Sequence, residues 1–391
     1  MVPVLKNLGK TGGSADRKWT VEWTKSSLAD LTADIVERLV SCYNLCSHPL
    51  ENGALLKAIT TMTTLYLGTK SGLLALQAED LPSQEDRLSE FGERVHKLAN
   101  FEVTSVTARE GVILAGTTQG IFRSEDGGQG WAEASSGLSQ KHIRWLAFHL
   151  ESSSAAFAGA EPAAIFRSAD AGQNWIECPE VGAERDKHGW WLPYSRGAGC
   201  VRGFAFHGAR AYAAVEVGGL LVSDDHGRTW RLAPGSDGKP SFGEPGAGMI
   251  HPDVHSVEAH PSSPDLVYAA TGGGLYRSRD GGAHWEQLYD CYTRALWADP
   301  ADPDHLIFGP ADDVDSNGRI ETTRDGGRTW SSASDGLPVP WRRGMVERFF
   351  RSDEDLFAVT SRGELLRADL AALHWRQVLP ASSGILCGTL A

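Results

Sequence analysis

Cysteines, basic residues and long apolar runs are all scarce in this sequence. Six cysteines are scattered over 391 residues, a density that excludes a disulfide-rich secreted scaffold and favours reduced thiols. There is no uninterrupted run of about eighteen apolar residues, so we expect no membrane-spanning helix. The first residues contain no apolar segment followed by small residues, so we expect no secretory signal and a cytoplasmic location.

The charge balance argues against two classes of partner. The sequence has 37 Lys and Arg residues against 50 Asp and Glu residues, a net charge of −13. Proteins that bind a nucleic-acid backbone or an anionic membrane need a basic surface. We therefore expect neither nucleic acid nor membrane as a partner.

Glycine and tryptophan are abundant instead, with 44 and 13 residues, and both recur in one repeated motif. The motif [ST]-x-D-x-G-x-x-W occurs five times, at 124–131, 168–175, 223–230, 278–285 and 323–330. A sixth copy at 368–375 keeps only the tryptophan. Ser, Thr and Asp bond to the backbone of tight turns, Gly adopts positive φ, and Trp packs over the turn. Each copy therefore predicts a hairpin between two strands.

The spacing of the motif predicts a β-propeller. Three short apolar runs precede each copy and one follows it, which makes four strands per repeat. Successive motif tryptophans lie 44, 55, 55, 45 and 45 residues apart, and a four-stranded blade takes about 40–45 residues. The two long intervals contain insertions at 181–199 and 233–249. We predict an all-β, seven-bladed β-propeller of four-stranded antiparallel blades over residues 62–391.

The two ends of this predicted ring differ from the other repeats. The unit beginning at Met62 lacks a first strand, which the segment 383–390 could supply and thereby close the ring. Residues 1–61 match no blade and are interpreted as a short helical N-terminal extension of doubtful status. They could reflect an over-extended reading frame, because Met62 opens its repeat as a start codon would. Apolar periodicity predicts helices over 27–46 and 83–100.

The repeated motif resembles the Asp-box, or BNR repeat, of sialidase-like and photosystem-assembly-factor-like propellers. The resemblance implies that the boxes occupy outer turns, away from the ligand site, so their Asp and Trp residues are structural. It also implies, for sialidase-like members, an arginine cluster that holds a carboxylate. The sequence lacks the Phe/Tyr-Arg-Ile/Leu-Pro motif of sialidases, so we do not expect a sialidase.

Alignment of the repeats identifies candidate site residues at the start of the first strands. First strands line the central channel of a propeller, and the equivalent positions are Thr104, Arg144, Arg202, His255, Arg294 and Glu347. Arginine binds carboxylate, phosphate or sulfate in a bidentate manner. The cluster predicts either an anion-binding pocket at the channel mouth or a structural ring of salt bridges to Glu347 and loop carboxylates.

Loops on the same face add further candidates. The second-to-third connections contribute Glu161, Glu216 and Asp312, and the first insertion contributes Trp190, Trp191 and Tyr194. Aromatic rings beside charged groups suit a sugar or an aromatic ligand, although they could equally form a packed lid.

Three functions remain open. A glycoside-hydrolase-like enzyme would use Glu216 and Glu347 as its carboxylate pair, with His255 as a further catalytic candidate, on an anionic or carbohydrate-like small molecule. A non-catalytic assembly propeller would bind a protein segment at the arginines. A lyase would use histidine and arginine. We expect no cofactor and no metal centre, although the histidines of HPDVHSVEAH leave a two-histidine site open.

Overall fold

The computed structural model describes residues 2–7, 19–24, 64–77, 81, 97–195, 197–241 and 243–391. The chain divides into two compact units, Met1–Thr61 and Met62–Ala391. In the first unit, strands β1 (Val2–Asn7) and β2 (Trp19–Thr24) pair in antiparallel fashion. The helix predicted over 27–46 lies outside the described residues.

The second unit contains the repeated sheets, and in blades II to VII the strand order follows chain order. Blade II contains β5 (Val103–Arg109), β6 (Val112–Thr117), β7 (Gly120–Ser124) and β8 (Ala132–Glu133). Blade III contains β9 (His142–His149), β10 (Ser152–Glu161), β11 (Ala164–Ser168) and β12 (Ile176–Glu177). Blade IV contains β13 (Cys200–His207), β14 (Arg210–Glu216), β15 (Gly219–Ser223) and β16 (Arg231–Leu232). Blade V contains β17 (Val254–Ala259), β18 (Val267–Thr271), β19 (Gly274–Ser278) and β20 (Glu286–Tyr289). Blade VI contains β21 (Tyr292–Ala298), β22 (Leu306–Ala311), β23 (Glu321–Thr323) and β24 (Ser331–Ser332). Blade VII contains β25 (Val346–Arg351), β26 (Asp355–Thr360), β27 (Leu365–Asp369) and β28 (Trp375–Leu379).

Blade I is built from both ends of this unit. Strands β3 (Thr64–Thr69) and β4 (Gly72–Gln77) are completed by β29 (Ile385–Leu390), which pairs with β3 as the inner strand. Leu73 and Lys97 form an isolated antiparallel bridge at the position of a fourth strand. The predicted closure by the C-terminal segment is therefore confirmed.

The inner strands of consecutive blades contact one another around a closed circle, from β29 through β5, β9, β13, β17, β21 and β25 back to β29. This confirms the predicted seven-bladed propeller. Most of the helix predicted over 83–100 lies outside the described residues. Its last residues are not helical, because Lys97 is in the β-bridge and both Leu98 and Asn100 have positive φ.

One helix, α1 (Pro179–His188), lies in the first insertion, and a short 3₁₀ turn (Ala381–Ser383) precedes β29. Helix α1 begins with proline in its first turn and ends at Gly189, whose φ is 65°. This arrangement of Pro and Gly is a common signal for a helix, and our sequence reading missed it. In the described part of the chain, no helix has the length and apolar character needed to span a bilayer.

The repeated motif forms the turn between the third and fourth strands of a blade. In blade V, the Ser278 hydroxyl donates to Asp280 Oδ1 at 2.8 Å and accepts from the Gly282 N–H at 2.8 Å. Asp280 Oδ1 also accepts from the N–H groups of Ala283 and His284. Trp285 packs over the turn and is 6% exposed. These contacts give the motif a structural role on the face opposite the starts of the inner strands.

We expect these turns to make stability depend on acidic pH. In Asp225, partial burial raises the pKa, but hydrogen bonds from Ser223 and Thr229 outweigh it and lower the pKa to about 2. A carboxylate with a lowered pKa stabilises the fold above its ordinary value of 3.8, and this contribution is lost as pH falls toward 2. Asp225→Asn should therefore lower the urea midpoint at pH 5, and the deficit should shrink toward pH 2. The control Asp353→Asn, at an exposed aspartate outside the turns, should behave as wild type; an equal deficit at both pH values would contradict the assignment.

Candidate functional site

Every inner strand of the propeller carries a β-bulge at the same position. The pairing register skips one residue of the inner strand in blades I to V and VII and two opposite Gly309 in blade VI. The bulged positions are Thr104, Arg144, Arg202, His255, Arg294, Glu347 and Leu386. A bulge re-aims side chains and is common beside functional sites. Six of these seven are the positions that the repeat alignment selected.

These residues lie on the face where inner strands begin and where second strands end, which we call the channel mouth. Two of the bulged residues, Thr104 and Leu386, have uncharged side chains. The Thr104 hydroxyl donates to the backbone carbonyls of Ile143 and Gly116, and Leu386 is half-buried. The charged part of the mouth therefore extends from blade III to blade VII.

Arg202 joins two carboxylates from different sides of the channel. Its Nη1 lies 3.0 Å from Glu216 Oε2, at the end of β14, and its Nη2 lies 3.2 Å from Glu347 Oε2, in blade VII. Glu347 also bonds Arg294 through its other oxygen, at 2.5 Å. Arg202 is 8% exposed and Glu216 is 3% exposed. With Arg294 and Glu347 partly buried, the four side chains form one alternating chain of charges.

This network keeps both glutamates ionised. Burial raises the pKa of Glu216, but Arg202 and then His255 outweigh it and hold the pKa well below its usual range. Burial also raises the pKa of Glu347, and Arg294 and Arg202 likewise lower it. Both carboxyl groups are therefore negatively charged at neutral pH.

A second set of contacts continues from Arg294 toward blade V. The Arg294 guanidinium donates to Tyr292 Oη at 3.1 and 3.2 Å, and Tyr292 Oη lies 3.3 Å from His255 Nε2. The same ring nitrogen lies 3.1 Å from Asp253 Oδ2, whereas His255 Nδ1 lies 2.8 Å from the Thr293 carbonyl. Sequence reasoning missed Asp253, because it lies two residues before the aligned position and the alignment compared only the aligned positions.

Arg144 is held more loosely than the other two arginines. Its Nη1 lies 3.6 Å from Glu161 Oε2, and its side chain is 25% exposed. Glu161 Oε1 accepts a hydrogen bond from the Ser195 hydroxyl, whereas its buried Oε2 has no hydrogen-bond partner among the described residues. His142 Nδ1 lies 3.7 Å from the same Oε2. Arg144 is thus the mouth arginine with the most unused hydrogen-bonding capacity.

The aromatic residues of the first insertion divide into two groups. Trp190 is 3% exposed and its indole N–H donates to the Gly238 carbonyl at 2.7 Å, so it packs the two insertions together and shows no ring to solvent. Trp191 and Tyr194 are 45% and 54% exposed. Tyr194 Oη lies 4.0 Å from Cys200 Sγ, at the start of β13. Only the latter two rings are positioned to meet a ligand.

Asp312 lines a separate acidic cleft between blades V and VI. The cleft has a volume of about 430 Å³, and its lining includes Glu244, Asp290, Asp313 and Tyr292. Asp312 is partly neutralised by Arg319, whose Nη1 lies 3.2 Å from Asp312 Oδ1. Because Tyr292 belongs to both sites, the cleft adjoins the channel mouth.

Comparison with known proteins supports the fold. The sequence matches no protein-family model and no curated protein. Among solved structures it is similar to YCF48 bound to a D1 peptide, with 15% identity and a TM-score of 0.52 over 80% of this chain and 90% of that one. It is also similar to the GH74 xyloglucanase from Xanthomonas campestris, with 20% identity and a TM-score of 0.53 over 71% of this chain and 45% of that one.

The fold is similar to that of the GH74 and YCF48 structures. An ancestral GH74 enzyme gives a further match, with 16% identity and a TM-score of 0.53 over 74% of this chain and 38% of that one. The propeller thus spans less than half the length of these two GH74 enzymes. At these identities the similarity establishes a shared β-propeller architecture and leaves the activity to be argued from the site.

Proposed function

We propose that this chain is a non-catalytic binding propeller, and that its channel mouth receives an anionic group of a polypeptide partner at Arg144. The main support is the Glu216–Arg202–Glu347 network, in which one guanidinium holds both candidate catalytic carboxylates. Such a network fixes the position of side chains at the mouth, and it suits a rigid binding surface better than proton transfer.

A glycoside hydrolase needs two carboxyl groups in different protonation states. One must remain protonated near neutral pH to serve as the acid, while the other is ionised. In this propeller the pKa values of Glu216 and Glu347 are both lowered, by Arg202 in each case and by Arg294 for Glu347. Neither residue has the environment of a general acid, so the hydrolase hypothesis loses its proton donor.

Arg144 has the features expected of a group that meets a ligand. Its side chain is partly exposed, and its one ion-pair contact among the described residues is a long one, to Glu161. The Ser195 hydroxyl bonds Glu161, which keeps the exposed ring of Tyr194 next to this part of the mouth. An arginine beside an exposed aromatic ring suits a carboxylate on a peptide. The similarity to YCF48 bound to a D1 peptide, which covers 80% of this chain and 90% of that one, supports a polypeptide over a free sugar.

Replacing Arg144 should weaken peptide binding without affecting the fold. We expect wild-type protein to bind a subset of peptides with free C-terminal carboxylates or acidic side chains in an array that includes amidated and Gln/Asn-substituted counterparts. Arg144→Ala should weaken binding about 10- to 100-fold in fluorescence anisotropy, the usual value of a charge-assisted hydrogen bond. The control Arg324→Ala, at an exposed arginine in a repeat turn, should bind as wild type.

Two results would overturn the proposed function. One is equal peptide binding by wild type and Arg144→Ala. The other is turnover of an aryl glycoside or a xyloglucan oligosaccharide by the wild type that is lost in both Glu216→Gln and Glu347→Gln. The second result would restore the hydrolase hypothesis directly.

A further inference from the structure

Three buried side chains on adjacent blades converge at the channel mouth. Glu216 ends β14 of blade IV, Asp253 immediately precedes β17 of blade V, and His255 is the second residue of β17. All three are buried, and one donor atom of each lies within 4.8 Å of the other two. A carboxylate oxygen, a second carboxylate oxygen and an imidazole nitrogen at these separations match the inner coordination shell of a divalent metal ion.

Asp253 gives an independent indication that a positive charge belongs here. It is 4% exposed, and its Oδ1 is buried with no hydrogen-bond partner among the described residues. Glu216 and Glu347 are each paired with arginine, whereas the ion-pair contact of Asp253 among the described residues is with His255, through Oδ2 alone. Burying a carboxylate oxygen without a hydrogen-bond or ionic partner is unfavourable. A cation bound to Asp253 would remove that cost.

His255 is oriented as a metal ligand would be. Its Nδ1 lies 2.8 Å from the Thr293 carbonyl, which can only accept, so Nδ1 carries the proton. Nε2 lies 3.3 Å from Tyr292 Oη and 3.1 Å from Asp253 Oδ2. Two lone pairs facing one another at this distance repel unless a proton or a metal ion lies between them. A backbone carbonyl holding the second ring nitrogen is the usual outer contact of a metal-bound histidine.

The cleft between blades V and VI lies beside Asp253. Gly272 lines this cleft and abuts Asp253, because a Cβ built on Gly272 would lie 2.5 Å from Asp253 Oδ2. The cleft is also lined by Glu244, Asp290, Asp312 and Asp313, with Arg319 as its one Lys or Arg residue, and such an acidic surface concentrates cations. The cleft therefore brings cations next to Asp253.

We propose that Glu216, Asp253 and His255 bind one divalent transition-metal ion of the Zn²⁺ or Mn²⁺ class. One nitrogen and two carboxylate oxygens disfavour soft ions such as Cu(I), and the imidazole disfavours Ca²⁺ and Mg²⁺. The site differs from the Arg144 region of the proposed function and does not depend on it. It also replaces our sequence-based expectation that the propeller has no metal centre.

Cobalt binding tests the site directly. Full-length protein, stripped with EDTA and dialysed, is titrated with Co²⁺ while its visible d–d absorption is recorded. We expect one equivalent to bind and Zn²⁺ to displace it. His255→Gln and Asp253→Asn should each weaken binding at least about 10- to 100-fold, the range known for disturbing the surroundings of a metal ligand. The control His374→Gln removes an exposed His–Asp335 pair and should retain the site.

A third variant keeps all three proposed ligands. Gly272→Ala places a methyl group against Asp253 Oδ2, so it should also weaken Co²⁺ binding, and it serves if the other two variants fail to fold. The proposal is overturned if the wild type shows no saturable Co²⁺ or Zn²⁺ binding. It is equally overturned if the variants that fold bind as tightly as the wild type. In that case a proton on His255 Nε2 accounts for the contact with Asp253.

Discussion

Glu347→Ala is expected to lower the free energy of unfolding by about 3–5 kcal/mol, the usual effect of removing one partner from a buried ion pair. Glu347 bonds Arg202 through one oxygen and Arg294 through the other. Its loss would leave Arg294 without its carboxylate and Arg202 with Glu216 alone. Arg202 would remain buried and Arg294 partly buried, and the two guanidinium groups would repel one another.

Urea unfolding followed by tryptophan fluorescence measures this loss. Glu347→Gln keeps the size of the side chain but not its charge, and should be destabilised to a similar extent if charge is the cause. The matched control Glu354→Ala, at an exposed glutamate in blade VII, should stay within about 0.5 kcal/mol of wild type. A Glu347→Ala variant as stable as this control would show that the network does not stabilise the ring.

A chemical rescue separates charge from packing. The cavity left by Glu347→Ala faces two arginines, so acetate or formate should bind there and restore part of the lost stability. Chloride at the same ionic strength serves as the control for screening, because it offers no bidentate carboxylate geometry. Rescue by acetate and not by chloride would establish that this part of the mouth recognises a carboxylate.

The repeat made much of the architecture predictable. The box turns, the strand order and the aligned mouth positions all follow from one motif, because a repeat places equivalent residues at equivalent depths in every blade. The bulges of the inner strands explain why alignment alone located Arg144, Arg202, Arg294 and Glu347. A residue at the bulge is exempt from the alternation of the strand and points into the mouth.

Contacts that occur in only one blade, or between different blades, could not be predicted from the repeat. Arg202 and Glu347 are 145 residues apart, and their pairing depends on how far two side chains reach across the channel. We interpreted Trp190 as a ligand contact from the sequence. It is buried, because the insertion begins with a helix and the Trp190 indole packs against Gly238. Asp253 lies two residues before the aligned position, where the neighbouring blades have Cys200 and Tyr292. Contacts between non-equivalent segments leave no periodic trace in the sequence.

Removing the last strand should have the largest effect on the fold. A chain that ends at Ser383 lacks β29, the inner strand of blade I, and exposes the pairing edge of β3. Leu65 and Leu67 of β3 and Ile385 and Cys387 of β29 are at most 1% exposed in the intact ring. An open ring exposes both apolar surface and an unpaired strand edge. We therefore expect the truncated chain to lose its cooperative unfolding transition and to aggregate. Addition of a peptide corresponding to Gly384–Ala391 should restore part of the cooperative transition.

A single substitution tests the same closure without shortening the chain. Thr64 and Ala391 exchange two backbone hydrogen bonds, of 2.9 and 3.0 Å. Hydrogen-bonded and non-hydrogen-bonded pairs alternate along an antiparallel ladder, so the next hydrogen-bonded pair is Thr389 and Tyr66. Thr389→Pro removes the N–H that this pair requires. The lost bond alone costs about 1–3 kcal/mol, and displacement of β29 from Leu65 and Leu67 adds to it. The control Thr389→Val keeps the N–H, and its melting temperature should be close to that of the wild type. If Thr389→Pro had the same melting temperature as Thr389→Val, β29 would not hold the ring closed.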